Sequence, residues 1–147
     1  MRRAVPIAAL AAALATPDIG VGQDLPQAVT DLGLTDVEIR EKPRAEYGRR
    51  VRGVLPGGTA VEIELDGSDV IEDIEARGGE LFPVAEIIGL VPAPVIGNAS
   101  WPGDARLEAI EFERDGRIEI EGRLADGREF DAEFTADGNM LDFDADD

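Results

Sequence analysis

The clearest pattern in the chain is the alternation of apolar and charged residues in its last third. Every second position is apolar or glycine in residues 118–124 and apolar in residues 129–134, and the positions between them are charged. A period of two indicates strands with one buried face and one solvated face. Asp115-Gly116 precedes the first segment and favours a hairpin, because glycine accepts a positive φ without strain. We therefore predict an antiparallel meander in this region.

A similar but shorter pattern occurs in the first half of the chain. Val61, Ile63 and Leu65 alternate with Glu62 and Glu64, and Gly-Gly and Asp-Gly pairs lie at either end of this segment. The pattern predicts a second antiparallel meander with its own apolar face.

An apolar segment precedes each meander and is expected to cover its apolar face. We predict a short helix over residues 25–34 and another over residues 81–90, whereas the prolines and glycines of residues 91–105 predict irregular structure. The predicted fold class is α+β, with two tandem modules over residues 23–80 and 81–147, each a short helix packed on an antiparallel β-meander. Because modules this small bury little surface alone, we expect the halves to share a sheet or a core.

The two halves also align with each other when the chain is shifted by 69 residues. The shift carries Gly53 onto Gly122 and Asp73 onto Asp142, and most apolar positions stay apolar. Either an internal duplication or chance agreement between two amphipathic hairpins explains the alignment. We interpret it as a duplication, because the matched positions keep their order over the whole segment.

The N-terminus has the layout of a secretory signal peptide. Arg2 and Arg3 form a basic start, and residues 4–15 are an apolar run rich in alanine and leucine. The run is shorter than the roughly 20 apolar residues that a membrane-spanning helix needs. We expect residues 1–22 to be cleaved, with the mature protein periplasmic or secreted and not inserted in the membrane.

The net charge of the chain is −18, which restricts its partners. A charge of this sign opposes unspecific binding to nucleic acid and to anionic membrane surfaces. It suits basic proteins, basic peptides or divalent cations as partners. The same charge also has a simpler explanation, because it keeps an exported protein soluble.

The chain contains no cysteine and no histidine. Their absence excludes disulfides, thiolate nucleophiles, Cys/His zinc sites and catalytic triads that use histidine. No motif with a catalytic mechanism is present, so we expect a protein that is not an enzyme, with no catalytic residue, no cofactor and no assigned metal ligand. Asp142 and Asp144 could share a calcium ion on an extended strand, but an acidic solvated tail explains the same residues.

The solvated faces of the predicted strands are the candidate binding surface. Their acidic side chains either attract a basic partner or form a solvated face, with interleaved arginines that relieve the repulsion. Trp101, the only tryptophan, is either a contact residue or a lid over the core of the second module. The predicted partner-facing residues are Glu62, Glu64, Trp101, Glu119, Glu121, Asp131 and Glu133.

Residues 126–141 resemble the C-terminal signature of PepSY-like domains, in which a glycine turn leads into an alternating strand, a second turn and a closing strand. Residues 58–67 are a weaker copy, and the segment 25–34 fits the opening helix of that family. The resemblance implies an exported protein with a helix on an antiparallel sheet, which inhibits or regulates proteases or other envelope proteins. The beta-lactamase inhibitory proteins are a more distant analogy, at the level of fold alone. The expected function is therefore a non-catalytic binding module, and the alternative is an acidic structural or cation-buffering protein without a specific partner.

Overall fold

The structure is a computed structural model that describes residues 24–146, so the predicted signal peptide lies outside the described residues. These residues form one antiparallel sheet of nine strands in the order β1-β2-β3-β4-β6-β7-β8-β9, with the short β5 paired to β6. Within this part of the chain, no helix is long and apolar enough to span a membrane. The strands are β1 Thr35–Glu41, β2 Arg49–Val54, β3 Ala60–Leu65, β4 Ile71–Ala76, β5 Phe82–Pro83, β6 Arg106–Phe112, β7 Ile118–Arg123, β8 Glu129–Phe134 and β9 Met140–Ala145.

The predicted fold class is wrong, because the chain does not form two modules that each place a helix on a meander. The helix predicted over residues 25–34 is reduced to α1, Gln27–Thr30, and the segment 81–90 contains β5 and two single 3-10 turns. A second four-residue helix, α2 Ala93–Ile96, follows. Helices this short have little stability of their own, so tertiary packing rather than helical periodicity determines these segments. The helix-on-sheet arrangement that the PepSY-like resemblance implied is therefore corrected as well.

We expected the two halves to share a sheet or a core, and the pairing of β4 with β6 shows that they share one sheet. Each half contributes four long strands, and a shift of 69 residues carries β2, β3 and β4 onto β7, β8 and β9 with the same lengths. The β2–β3 register is the β7–β8 register at this shift, and both halves have a register irregularity at the same position of the last hairpin. The two halves thus have the same strand geometry.

One face of the sheet carries the hydrophobic core. Val51, Ile63, Ile74, Ile110 and Ile120 are fully buried and lie side by side across five strands. The short helices, the 3-10 turns and the loop between α2 and β6 cover this face with further buried apolar side chains. Alternation along the strands directs the neighbouring charged residues to the opposite face, which the described segments leave open to solvent.

Candidate protein-binding face

The solvent-facing side of β2–β9 carries two parallel rows of residues, all charged except Ala109, which together we call the acidic face. Side chains at paired positions of antiparallel strands lie next to each other on the same face, so each row runs across the sheet. The first row is Arg50, Glu64, Asp73, Glu111, Glu119, Glu133 and Asp142. The second row is Arg52, Glu62, Glu75, Ala109, Glu121, Asp131 and Asp144.

The rows begin with opposite charges on β2 and β3. Arg50 donates from Nε to the Glu64 carboxylate at 2.8 Å, and Arg52 donates to Glu62 at 2.5 Å. These pairs join residues directly opposite each other in the β2–β3 register. The two β3 carboxylates of the acidic face, Glu62 and Glu64, are thus compensated within the chain.

Lys42 adds a second positive charge at this end of the first row. Its side chain is 3% exposed, and its ammonium group lies 2.9 Å from Glu64 and 2.9 Å from Glu72. Burial lowers the pKa of Lys42, but the hydrogen bonds to both carboxylates outweigh burial and raise it. Burial likewise raises the pKa of Glu64, and the hydrogen bonds from Lys42 and Arg50 reverse this effect and lower it. The environment therefore stabilises the charged forms of these groups.

The second half of the acidic face has the opposite electrostatics. Among the described residues, no basic group lies within ion-pair distance of Glu119, Glu121 or Asp131, whereas Glu133 pairs with Arg117. Burial raises the pKa of Glu119, Glu121 and Asp131, and the charges of neighbouring carboxylates raise it further. A hydrogen bond with Glu119 offsets part of this rise for Asp131. Ionised carboxylates here lack compensation from the chain itself.

Asp73 shows the same effect most strongly, in the middle of the first row. Partial burial, together with the carboxylates of Glu64, Glu111 and Glu75, raises the pKa of Asp73 to about 6. Glu111 lies directly opposite it on β6, where the two halves meet. The first row is therefore acidic without interruption from Asp73 on β4 to Asp142 on β9.

A comparison of equivalent positions shows how this difference arises. The 69-residue shift places Glu119 of β7 where β2 has Arg50, and Glu121 where β2 has Arg52. Their cross-strand partners stay acidic, because Glu133 is equivalent to Glu64 and the partner of Glu121 is Asp131. Two opposite-charge pairs of the first half are thus two like-charge pairs in the second half.

The structure brings together six of the seven residues predicted to face a partner. Glu62, Glu64, Glu119, Glu121, Asp131 and Glu133 all lie on the acidic face. Trp101 does not lie there. It packs on the core side of the sheet, in an edge-to-face contact with Phe134 in which the ring centroids are 5.6 Å apart.

The sequence analysis did not assign five further acidic residues, on β4, β6 and β9, to the acidic face. Their alternation in β4 and β9 was a usable signal, because charged residues flank Ile74 and Phe143 on both sides. The pairing of β4 with β6 was not readable, since it joins segments separated by an irregular loop. The positions are Asp73, Glu75, Glu111, Asp142 and Asp144.

The chemistry available on the acidic face is electrostatic. In the region 24–146, no group of three or more acidic side chains is arranged to hold a metal ion, and this includes Asp142 and Asp144. Two shallow depressions are lined mainly by carboxylates, one at the β4–β6 junction and one at the ends of β7, β8 and β9. Such a surface can bind lysine and arginine side chains by charge and hydrogen bonds.

Comparison with known proteins gives no relative for this chain: no family model, no curated protein and no solved structure matches it.

Proposed function

We propose that this chain is an exported, non-catalytic binding module whose acidic face binds a basic surface of an envelope protein. One observation carries the proposal: β7 has Glu119 and Glu121 where the equivalent strand β2 has Arg50 and Arg52. The first half thus shows that this scaffold accommodates arginine at these positions, opposite acidic residues of the neighbouring strand.

Physical reasoning supports a binding role for these glutamates. Like charges directly opposite each other on neighbouring strands destabilise a sheet. Their raised pKa values show that the folded state opposes their ionisation. A cationic partner would reverse both effects, because its charges would replace the missing arginines. The bound state then resembles the arrangement that β2 and β3 form within the chain.

Export to the periplasm and the regulation of a protease or another envelope protein belong to the same proposal. They rest on the apolar N-terminal run and on the resemblance to PepSY-like domains. In that setting the chain would contribute recognition, and the partner would carry any catalytic groups.

The double substitution Glu119→Arg with Glu121→Arg tests the proposal, because it copies the β2 pattern onto β7. The purified protein and the variant are immobilised and exposed to an envelope extract at moderate salt, and retained proteins are identified by mass spectrometry. We expect the unmodified protein to retain one or two basic proteins that the variant loses. A control variant, Glu80→Arg with Asp104→Arg, changes the net charge equally at exposed positions outside the two rows and should retain them.

Equal retention by all three proteins would refute a role for the acidic face. Loss in both variants would show that net charge alone governs binding, and the carboxylates would then serve solubility.

A further inference from the structure

The strand β9 lies at one edge of the sheet and leaves one side of its backbone open. Among residues 24–146 it pairs only with β8. The Asp146 N–H donates to the Glu129 carbonyl at 3.1 Å, so Asp146 points its backbone groups toward β8. In an antiparallel pair only every second residue does so, and the backbone groups of Phe143 and Ala145 therefore point away from β8. In agreement, the Phe143 N–H donates to the carboxylate of its own neighbour Asp142 at 3.0 Å. The edge therefore has backbone groups that face away from β8, and an added strand would use them by replacing the Asp142 carboxylate as the acceptor of the Phe143 N–H.

The equivalent strand of the first half shows what such an edge does. Next to β4, the Arg77 N–H donates to the Ala60 carbonyl at 2.8 Å, and these two residues are the equivalents of Asp146 and Glu129. The backbone groups of β4 and β9 therefore point in the same directions relative to the preceding strand. Ile74 of β4 occupies the position of Phe143, and it pairs with Ile110 of the antiparallel strand β6. Inside this molecule, the same edge geometry thus accepts a further strand.

The charges at the edge select the kind of strand that fits. Both rows of the acidic face end on β9, at Asp142 and Asp144, with the partly buried Phe143 between them on the other face. A strand added about 4.8 Å away would place alternate side chains beside these two carboxylates. The pairing of Arg50 and Arg52 with β3 shows that an Arg-x-Arg strand satisfies such a pattern.

We propose that β9 accepts an extended basic segment of the partner as an additional antiparallel strand, with lysine or arginine opposite Asp142 and Asp144 and an apolar residue opposite Phe143. This inference rests on the proposed function and adds the mode of binding and the sequence class of the segment.

A second copy of the chain fits the edge less well than a basic segment. Its strand β1 is the equivalent of β6, and in that pairing Arg40 of the second copy would lie opposite Asp142 and Ile39 opposite Phe143. Glu38 would however lie opposite Asp144, and Arg40 is already paired with Glu38 at 2.6 Å. The net charge of −18 on each copy adds further repulsion.

Two synthetic peptides of identical composition test the inference. The first, acetyl-Thr-Arg-Val-Arg-Val-Thr-amide, alternates arginine with valine. The second, acetyl-Thr-Arg-Arg-Val-Val-Thr-amide, has the same charge without the alternation. Each peptide is titrated into the purified protein in a calorimeter at moderate salt. We expect the dissociation constant of the alternating peptide to be at least tenfold lower.

Blocking the edge provides a second readout. Ala145→Pro removes a backbone N–H that points away from β8. An edge strand tolerates proline at such a position, because the pairing with β8 does not use this N–H. We expect at least a tenfold loss of affinity for the alternating peptide, whereas the matched variant Ala145→Ser keeps the N–H and the affinity. Hydrogen exchange on the unsubstituted protein should show slower exchange of the Phe143 amide with peptide bound, with no change in β1. This measurement does not depend on the folding of the proline variant.

The outcomes separate the inference from the proposed function. Equal binding of both peptides, with unchanged exchange at Phe143, would overturn strand addition and leave charge-based binding to the acidic face. Concentration-dependent self-association through β9 without peptide, seen by analytical ultracentrifugation, would also overturn it, because a second copy would then occupy the edge. The proposed function fails separately, if Glu119→Arg with Glu121→Arg leaves capture of the envelope partner unchanged.

Discussion

The Arg50 guanidinium lies 2.8 Å from the Glu64 carboxylate, across a strand pair whose counterpart in the second half places Glu119 opposite Glu133. The same sheet geometry therefore holds an attractive pair in one half and a repulsive pair in the other. Since like charges at directly opposed positions destabilise a sheet, this difference can be measured as stability.

Introducing the first-half arrangement into the second half should stabilise the fold. We expect Glu119→Arg to raise the free energy of unfolding by about 0.5 kcal/mol, the scale of an exposed cross-strand ion pair. Urea unfolding at low ionic strength measures the change, and added salt should reduce it. Glu119→Gln removes the repulsion without forming a pair, so its effect should be smaller. A lower stability for the arginine variant would contradict the equivalence of the two strand pairs.

The raised pKa of Asp73 predicts a contribution to stability that falls as the pH rises between about 4 and 7, whereas Glu38 and Glu64, whose pKa values are lowered, contribute in the opposite direction. The pKa of this group is about 6 in the folded protein, above its ordinary value of 3.8, because burial and neighbouring carboxylates oppose its ionisation. The folded state therefore binds more protons than the unfolded state in this window, and its stability decreases as Asp73 ionises. Glu119, Glu121 and Asp131 act in the same direction, because their pKa values are also raised.

Asp73→Asn isolates this contribution. The variant should match the unmodified protein near pH 3, where Asp73 is protonated in both the folded and the unfolded state. It should exceed the free energy of unfolding of the unmodified protein by about 1 kcal/mol near pH 7.5, after allowance for solvent screening of a half-exposed group. Asp142→Asn, at the equivalent position on the exposed edge strand, is the matched control, and we expect a smaller effect. A pH-independent difference for Asp73→Asn would argue against its titration as the cause.

Lys42 should react slowly with amine-directed reagents in the folded protein. It is the only lysine of the chain, and its ammonium group is buried between Glu64 and Glu72 at 2.9 Å from each. Its raised pKa also keeps it protonated and therefore unreactive. Peptide mapping after treatment with a succinimidyl ester should show modification in urea but little in buffer, with the N-terminal amine as the internal reference. Glu72→Gln removes one partner and should increase the rate, whereas equal rates in buffer and urea would contradict the burial.

The sequence predicted the strands of the acidic face better than the segments that cover the core. Alternation over residues 118–134 correctly indicated β7 and β8, because a period of two depends on local geometry alone. The helix predicted over residues 25–34 was wrong in extent, because the structure has a helix only at Gln27–Thr30. The apolar residues of this segment reflect contact with the sheet rather than helical periodicity. The juxtaposition of Asp73 with Glu111 could not be predicted, because it depends on which edges of the two halves meet.

The β8–β9 turn should be far less tolerant of substitution than its counterpart between β7 and β8. Gly138 and Gly127 have the same conformation, with φ of +92° and +91°, and each donates to the residue three positions earlier at 2.9 Å. A Cβ at Gly127 would meet nothing within 4 Å, whereas a Cβ at Gly138 would lie 2.3 Å from the Pro94 carbonyl oxygen. The Gly138 carbonyl also accepts a hydrogen bond from Asn98 at 2.8 Å, which ties this turn to the segment after α2.

Comparing Gly127→Ala with Gly138→Ala therefore separates backbone strain from a tertiary contact. Gly127→Ala should lower the free energy of unfolding by about 1 kcal/mol, the cost of a left-handed conformation for a residue with a Cβ. Gly138→Ala carries the same strain and must also displace Pro94, so we expect a total loss of about 2–3 kcal/mol, within the range for a distorted tertiary contact. Urea unfolding of both variants measures the difference. Asn98→Ala removes only the hydrogen bond and should cost less than Gly138→Ala, because it leaves the turn and Pro94 in place. Equal losses for the two glycine variants would mean that α2 does not pack against the β8–β9 turn in solution.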